Sequence, residues 1–481
     1  MDFEAVLAAI LPRGALLTSE ESKRPYECDG LSAYRALPRA VCLPRTRDEV
    51  RQIIAVCAEH RVPLVPRGAG TGLSGGALPL TDGVLLSLAR FNRILEIDPE
   101  NRIAVVEPGV RNLAISEAVA VHGLYYAPDP SSQIACSIGG NVAENSGGVH
   151  CLKYGLTVHN VLGVKMFLST GEWIELGGRT GDAPGLDLLA VINGSEGLLG
   201  VIMEITVKLL PRPPVAKVLL AAFDTVAAAG EAVAGIIEAG VIPAGLEMMD
   251  RLAIQVAEEY CHAGYPRDAA AILLCELDGL EEEVAAEIVR VEALLCRLGA
   301  IEVRCSRDEA ERSRFWLGRK SAFPAIGRIA PDYYCMDGTI PRRELSRVLT
   351  RIAELSRESG LLIANVFHAG DGNLHPLIAY DANDDQQLAM AEAVGGKILE
   401  ICIEVGGTVT GEHGVGVEKL NQMCIQFGTP ELELFHRLKA AFDPHTLLNP
   451  GRAVPTLHRC AEFGAMHVHS GQLPHSDLPR F

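Results

Sequence analysis

The chain has 481 residues, of which 48% are hydrophobic, so it can form about two or three domains with substantial cores. Its formal net charge of −18 repels phosphate backbones, which excludes nucleic acid as the expected partner. The opening segment, "MDFEAVLAAILPRG", lacks the charge and length of a secretory signal, and the longest apolar stretch (218–249) is interrupted by Asp224, Glu231 and Glu238. These features favour a cytoplasmic protein, with peripheral attachment to a membrane through partners left open.

Thirteen cysteines are scattered from Cys28 to Cys460, and none forms a C-x-x-C pair. Without a secretory signal, this pattern predicts reduced thiols, most of them small core residues. It also offers no obvious ligand set for an iron–sulfur cluster.

In chain order, hydrophobic periodicity predicts a first region of short strands with few helices. The expected helices are 47–59, capped by Thr46, and 111–122, ending at Gly123. The expected strands are 39–46, 62–65, 83–88, 94–98, 103–109, 161–168, 172–176 and 200–210.

Three prolines, at 211, 213 and 214, mark the clearest domain boundary, because proline ends both helices and sheets. Beyond them, helical periods alternate with strands such as 270–279 and 362–368, which indicates a second α+β domain over 212–410. A helix is expected over 430–452, in a C-terminal segment spanning 411–481.

The loop "PRGAGTGLSG" at 66–75 contains a literal G-x-G-x-x-G. A nicotinamide-binding fingerprint needs a helix directly after its glycines, but Gly76, Pro79 and Gly83 follow here, so we reject that interpretation. A second glycine cluster lies at 138–148. Two such clusters predict one long phosphate-bearing ligand approached by backbone N–H groups, with flexible surface loops as the alternative.

Potential metal ligands occur in two glycine-rich loops of the second half. His368 and His375 flank a turn in "HAGDGNLH", and Glu412 and His413 are adjacent in "TGEHGVG". Two imidazoles and a carboxylate are a common set for a catalytic divalent metal with room for substrate. The alternative is two ordinary loop histidines and a surface Glu–His pair.

Six motifs together, "PRGAGTGLSGG", "PDPSSQIACSIGGNVAENSGG", "NGSEGLLGVI", "HAGDGNLH", "GEHGVG" and "FDPHTLLNPGR", resemble the flavin-linked oxidases of the vanillyl-alcohol oxidase type. Within these, the chain is most similar to the family of catalytic subunits of bacterial glycolate oxidases. The resemblance implies an α+β fold with a two-lobed FAD-binding domain and an inserted antiparallel α+β substrate (cap) domain. The FAD domain would comprise 1–211, the cap 212–410, and 411–481 would return to the FAD domain.

The resemblance also assigns residues to FAD. They are Arg67, Gly68, Ala69, Gly70, Thr71, Gly72, Leu73, Ser74 and Gly75 for the pyrophosphate; Pro130, Cys136, Ser137, Gly139, Gly140, Asn141, Asn145, Gly147 and Gly148 for the ribityl chain and ring; Glu196, Val201 and Ile202 for the adenosine half; and Asn449. Covalent relatives carry a histidine in the first loop, where this chain has Ala69-Gly70-Thr71, so FAD is expected to be held non-covalently.

The implied reaction is oxidation of a 2-hydroxy acid bound to a divalent metal (zinc, manganese or iron) held by His368, His375 and Glu412. His413 would remove the hydroxyl proton as general base, and hydride would pass to flavin N5. Arg319 is expected to hold the substrate carboxylate bidentately, with a helix-surface arginine as the alternative. Relatives that oxidise 2-hydroxyglutarate carry polar residues where this chain has Phe323, Met336 and Leu377, which favours a small monocarboxylate.

The resemblance further implies a second flavin subunit and an iron–sulfur subunit that pass electrons to quinone at the inner membrane. Glycolate is the expected substrate, and a D-lactate dehydrogenase of the same family is the close alternative. A flavin subunit that only relays electrons is a third possibility, which predicts loss of the His/Glu set.

Overall fold

The computed structural model describes residues 2–181, 185–456 and 459–460. Its helices are α1 Phe3–Ile10, α2 Glu20–Lys23, α3 Arg47–His60, α4 Asn112–Val119, α5 Ile138–Glu144, α6 Cys151–Tyr154, α7 Thr157–Asn160, α8 Leu188–Ile192, α9 Val226–Glu238, α10 Arg251–Cys261, α11 Glu281–Arg297, α12 Glu309–Lys320, α13 Ala322–Ala325, α14 Leu345–Ser359, α15 Asp385–Glu404, α16 Leu420–Gln426 and α17 Thr429–Phe442.

Two sheets form the first region of the chain. The first has the order β1-β2-β4-β3, with parallel pairing of β2 and β3 to β4, and its strands are β1 Leu16–Leu17, β2 Ala40–Cys42, β3 Leu64–Arg67 and β4 Val84–Ser87. The second is antiparallel with the order β5-β6-β10-β8-β9, and its strands are β5 Ile94–Asp98, β6 Ile103–Val106, β8 Val161–Phe167, β9 Trp173–Gly177 and β10 Val201–Lys208. A separate pair joins β7 Leu124–Tyr125 to β11 Leu210–Pro211.

A seven-stranded antiparallel sheet forms the second region, in the order β15-β12-β14-β13-β17-β18-β16. Its strands are β12 Val215–Phe223, β13 Gly245–Asp250, β14 Ala271–Gly279, β15 Glu302–Cys305, β16 Asp332–Cys335, β17 Ile363–His368 and β18 Pro376–Tyr380. Side chains alternate between faces along each strand. In β12, Leu219 and Phe223 pack with α9, α11, α14 and α15, whereas Leu220 packs with α10, α12 and α13.

The C-terminal segment returns to the first sheet. Leu448 lies alongside Leu64 of β3 in a parallel bridge, and Asn449 N–H donates to the Leu64 carbonyl at 3.0 Å. Both leucines are fully buried in one hydrophobic cluster. The first domain is therefore completed by residues from both ends of the described chain.

Most of the predicted elements are confirmed, some with the predicted ends, such as the strand at Ile94–Asp98, and others with shifted ends, such as the helix at Arg47–His60. The predicted absence of a helix after Gly75 is also confirmed, since a turn leads directly to β4. Two predictions are corrected: the strand at 39–46 shrinks to β2 before Pro44, and the helix at 430–452 ends at Phe442. The second glycine cluster, for which no element was predicted, contains helix α5. Asp443 precedes a proline, which disfavours helical backbone, and the Ser137 side chain caps α5.

The prediction that all thiols are reduced is wrong for one pair. Cys424 of α16 and Cys460 form a disulfide across 36 residues of sequence, and the other cysteines are free. Spacing alone could not indicate this pair, because the fold brings Cys460 back to α16, where Arg459 Nε donates to Asn421 Oδ1 at 2.7 Å. Among the helices that the structure describes, none is long and apolar enough to cross a membrane.

Candidate active site

A cavity of about 420 Å³ lies where the first region, the seven-stranded sheet and the C-terminal segment meet. This volume is within the usual range for small-molecule and cofactor sites. Sixteen of the predicted cofactor residues line it: Arg67, Gly68, Ala69, Gly70, Thr71, Gly72, Leu73, Pro130, Cys136, Ser137, Gly139, Gly140, Asn141, Glu196, Ile202 and Asn449.

The two glycine clusters lie against each other in one wall of this cavity. Gly68 has no room for a side chain, because a Cβ there would collide with Ser137 Oγ at the start of α5. Asn141 Nδ2 and Glu144 Oε2 are buried in this wall with no hydrogen-bond partner among the described residues. Closely apposed backbones with unpaired polar atoms fit a ligand such as FAD that carries many hydrogen-bonding groups.

Six predicted cofactor residues do not line the cavity: Ser74, Gly75, Asn145, Gly147, Gly148 and Val201. Some have other roles in the fold. Val201 is buried in the hydrophobic core, and the Asn145 side chain accepts from Val158 N–H at 2.9 Å. The Ser74 carbonyl accepts from Val417 N–H at 3.0 Å, and Gly147 leaves room for Glu412, whose Oε2 would lie 2.7 Å from a Cβ there.

The predicted metal ligands come together beside Gly147 of the second glycine cluster. Glu412 Oε1 lies 3.3 Å from His368 Nε2 and 2.9 Å from His375 Nε2. His368 ends β17 and His375 precedes β18, so the hairpin between these strands brings the two imidazoles together. His375 and Glu412 line the cavity, whereas His368 lies behind them.

Each histidine has a partner that fixes its other ring nitrogen. His368 Nδ1 lies 2.7 Å from Glu247 Oε1, and His375 Nδ1 lies 3.3 Å from the Met336 carbonyl. These contacts favour protonated Nδ1 atoms, which leaves both Nε2 lone pairs facing Glu412. The donor set therefore fits a divalent metal. A second group, Cys335 with His375 and His413, overlaps it through His375.

The predicted base, His413, stacks on His375 with ring centroids 5.0 Å apart and an interplanar angle of 12°. Its Nδ1 is buried without a hydrogen-bond partner in the described part of the chain. Burial lowers the pKa of His413 to about 4, despite the nearby carboxylate of Asp337. The ring is therefore neutral at pH 7 and has a lone pair available to accept a proton.

Asp337 holds the loop that carries Glu412 and His413, and no local pattern in the sequence indicates this residue. Its Oδ2 accepts from the N–H groups of Gly411 at 3.1 Å and His413 at 2.9 Å, and from Lys419 Nζ at 3.1 Å. Its Oδ1 accepts from the Asn373 amide at 2.9 Å, in the turn between the two histidines. Burial opposes ionisation, but His413 and Lys419 outweigh it and hold the pKa of Asp337 well below its usual value.

Arg319 does not line the cavity. Its guanidinium is buried, and Nε donates to Glu247 Oε2 at 2.7 Å, on the carboxylate that also contacts His368. Its Nη2 has no partner among residues 2–181, 185–456 and 459–460. The neighbouring Lys320, at the C-terminal end of α12, lines the cavity instead.

The three residues predicted to limit substrate size occupy different positions. Phe323 lines the cavity, with its ring 6.2 Å from that of His375. Met336 and Leu377 are buried outside the cavity wall, so any effect of theirs on the substrate is indirect. Pro324 and Tyr333 complete the cap-side wall beside Phe323.

Comparison with known proteins gives matches along the whole chain. Residues 38–177 match the family described as FAD binding domain, and residues 212–453 match FAD linked oxidases, C-terminal domain. Glycolate oxidase subunit GlcD of Escherichia coli strain K12 is 63% identical over 484 residues, covering 100% of this chain and 97% of the relative. Its namesake in Bacillus subtilis strain 168 is 41% identical, covering 90% and 93%. D-lactate dehydrogenase of Archaeoglobus fulgidus is 32% identical, covering 90% and 95%.

Solved structures with the same fold are more distant in sequence. p-Cresol methylhydroxylase with substrate bound aligns with a TM-score of 0.78 at 19% identity, covering 95% of this chain and 97% of that chain. Alkyldihydroxyacetonephosphate synthase aligns with a TM-score of 0.74 at 19% identity, covering 93% and 85%. These matches confirm the predicted fold class.

Proposed function

The chain belongs to the FAD-linked oxidases, in the family of the glycolate oxidase subunit GlcD, and on this premise we propose that it oxidises glycolate, a small 2-hydroxy acid, to glyoxylate. The observation that carries the proposal is the juxtaposition of two sites in one cavity. The glycine-rich wall suits FAD, and His375, Glu412 and His413 line the same cavity.

His368, His375 and Glu412 would hold a divalent metal, and the wall from Arg67 to Leu73 with α5 would hold FAD. When bound, the metal acts as a Lewis acid on the substrate hydroxyl, and FAD is the hydride acceptor. His413 takes the hydroxyl proton, because its neutral ring faces the cavity beside Glu412.

Two cations are candidates for the substrate carboxylate. Arg319 Nη2 has no partner within the described residues but its Nε is bound to Glu247, whereas Lys320 lines the cavity. Replacing the cation that binds the substrate carboxylate with glutamine should raise the KM for glycolate more than it changes kcat. Comparing Arg319→Gln with Lys320→Gln therefore tests the earlier assignment to Arg319.

The cap-side wall supports a small substrate. Phe323, Pro324 and Tyr333 carry no charge, so once Lys320 holds the first carboxylate these three residues leave a second one unpaired, which would be costly. Oxidation of D-lactate is the second candidate, because relatives named D-lactate dehydrogenase also match most of the chain.

The decisive experiment mixes the purified yellow protein anaerobically with glycolate, D-lactate or 2-hydroxyglutarate and follows flavin absorbance. We expect rapid bleaching by glycolate, slower bleaching by D-lactate, and loss of both after treatment with a chelator. Faster bleaching by D-lactate would favour the second candidate. Equal or faster bleaching by 2-hydroxyglutarate would refute the proposal of a small monocarboxylate.

The physiological acceptor is proposed to be a partner. The name of the relative at 63% identity describes a subunit, which supports membership in a complex. In the proposed complex, electrons leave FAD for a second flavin subunit, an iron–sulfur subunit and membrane quinone. Attachment to the cytoplasmic face of the inner membrane would then be peripheral. Full quinone reductase activity of the isolated chain would contradict this arrangement.

A further inference from the structure

The loop at residues 410–418, here called the catalytic loop, is held in two halves by two different domains. Asp337 of the cap domain binds the first half through the N–H groups of Gly411 and His413. Glu196 of the FAD domain binds the second half, accepting from Val415 N–H at 2.7 Å and Gly416 N–H at 2.6 Å. Glu412 and His413 thus lie just before the point where the loop passes from one domain to the other.

Gly414 separates the two halves. Its φ of +82° lies in the left-handed region that favours glycine. A Cβ at this position would collide with Glu144 Oε2 and lie 3.1 Å from Glu196 Oε1. The chain therefore turns against the two glutamates of the FAD domain. It then reaches Ser74 of the same domain, whose carbonyl accepts from Val417 N–H at 3.0 Å and Glu418 N–H at 3.2 Å.

Glu196 is itself held rigidly. Its N–H donates to the Ala143 carbonyl at 2.8 Å, and its carbonyl accepts from Asn449 Nδ2 at 2.7 Å. The residue is 4% exposed and lines the cofactor cavity. Both carboxylate oxygens are used by the loop amides, so this side chain is a fixed link between the cofactor wall and the catalytic loop.

We propose that Glu196 is a positioning residue that sets the place of Glu412 and His413 relative to the cofactor wall. This inference rests on the proposed function, in which His413 and the FAD site act on one substrate. Because Asp337 holds the first half independently, loss of Glu196 changes the alignment of the loop with the FAD domain and leaves the histidine–carboxylate cluster assembled. Both carboxylate oxygens of Glu196 are occupied by the loop amides, so its side chain acts through the loop.

Glu196→Gln is the test variant, because an amide cannot accept from both N–H groups and presents a donor to one of them. Glu107→Gln is the matched control. Glu107 is also buried in the FAD domain, and its carboxylate accepts from a backbone N–H, that of Arg93 at 2.9 Å, away from the catalytic loop. Glu196→Asp keeps the charge with a shorter reach and serves as the conservative variant.

The first readout is amide hydrogen exchange, which requires no turnover. In Glu196→Gln, the amides of Val415 and Gly416 should exchange at least about tenfold faster, because a charge-assisted bond is lost, while those of Gly411 and His413 keep their protection. Glu196→Asp should fall between the wild type and Glu196→Gln. Unchanged exchange at Val415 and Gly416 in Glu196→Gln overturns the proposal.

The second readout is anaerobic flavin reduction by glycolate in the FAD-loaded protein. The rate constant should fall about 10- to 100-fold in Glu196→Gln, since a small misplacement of reacting groups has effects of this size, with FAD content and zinc affinity retained. Glu107→Gln should match the wild type. A rate within about twofold of the wild type, or a loss of zinc and FAD binding that parallels the loss of rate, overturns the proposal.

These outcomes are distinguishable from failure of the proposed function, because that failure appears as absent bleaching in the wild type. Amide exchange would still report whether Glu196 holds the loop. If Glu196→Gln does not fold, Glu196→Asp carries both measurements, with the same expected direction and the same refuting results.

Discussion

Replacing Glu247 with glutamine tests how the structure prepares the metal site. The buried carboxylate of Glu247 accepts from Arg319 Nε and contacts His368 Nδ1, both at 2.7 Å. A glutamine side chain has one acceptor oxygen, so either Arg319 or His368 loses its partner and faces an N–H group. His368 would then no longer be held with Nε2 directed at Glu412, and the proposed ligand set would be misaligned.

The expected loss follows from this contact. Partners that orient metal-bound histidines are worth about 10- to 100-fold in metal affinity, which corresponds to about 1.4–2.7 kcal/mol. The assay strips metal with a chelator and then titrates zinc or manganese by calorimetry. Flavin absorbance should be unaffected, because Glu247 does not line the cofactor cavity.

Glu276→Gln is the control for general destabilisation. Glu276 is 3% exposed and lies on the neighbouring strand β14, where it binds Arg312 at 2.7 Å and contacts His150 and Trp316. Its loss also leaves buried groups unpaired, so it should lower thermal stability without changing metal affinity. A metal Kd within about twofold of the wild type in Glu247→Gln, or an equal loss in Glu276→Gln, would refute the reasoning.

Three further predictions concern the proposed base His413, the contacts of His150 with Asp129 and Glu276, and the Cys424–Cys460 disulfide. His413→Gln should lower the rate constant of flavin reduction about 10²- to 10⁴-fold with FAD retained, as measured by stopped-flow absorbance. Burial lowers the pKa of His150, but Asp129 and Glu276 outweigh burial and raise this pKa to about 10. The protonated His150 ring therefore stabilises the fold fully below pH 6.5, and this contribution is lost as the pH rises to about 10. The gap in thermal midpoint between wild type and His150→Gln should shrink over that range. Cys424→Ser should remove about 3–4 kcal/mol of stability in non-reducing buffer and none in reductant.

Each of these has a clear contradicting result. His413 is not the base if its variant reduces flavin within about tenfold of the wild type. The linkage at His150 is absent if the two melting curves stay equally separated from pH 6.5 to 10. The disulfide does not form in solution if reductant leaves the wild-type midpoint unchanged.

The sequence indicated the proposed cofactor loop and the proposed metal ligands because each is a short motif with its residues close together. His368 and His375 flank one turn, and the glycines of 68–75 are adjacent, so local patterning was sufficient. Glu412 could be added to the proposed ligand set because a carboxylate between glycines suits a divalent metal site that must also admit substrate.

The residues that orient these groups could not be found in this way. Glu247 meets His368 through the register of β13 with β17, and Asp337 meets the catalytic loop only in the folded chain. Neither Glu247 nor Asp337 belongs to a recognisable sequence motif. Arg319 and Lys320 show the same limit, since adjacent residues at a helix end face different directions, and only the packing of α12 decides which one reaches the cavity.

The pairing of Leu64 with Leu448 has a consequence for biosynthesis. As the polypeptide leaves the ribosome, β3 is made early, but the segment that covers it arrives almost four hundred residues later. Until then one edge of the first sheet is open, and Asn449 is absent from the cofactor wall. The cofactor wall is therefore complete only after residue 449 has been made, and until then the open strand edge is a site at which nascent chains could aggregate.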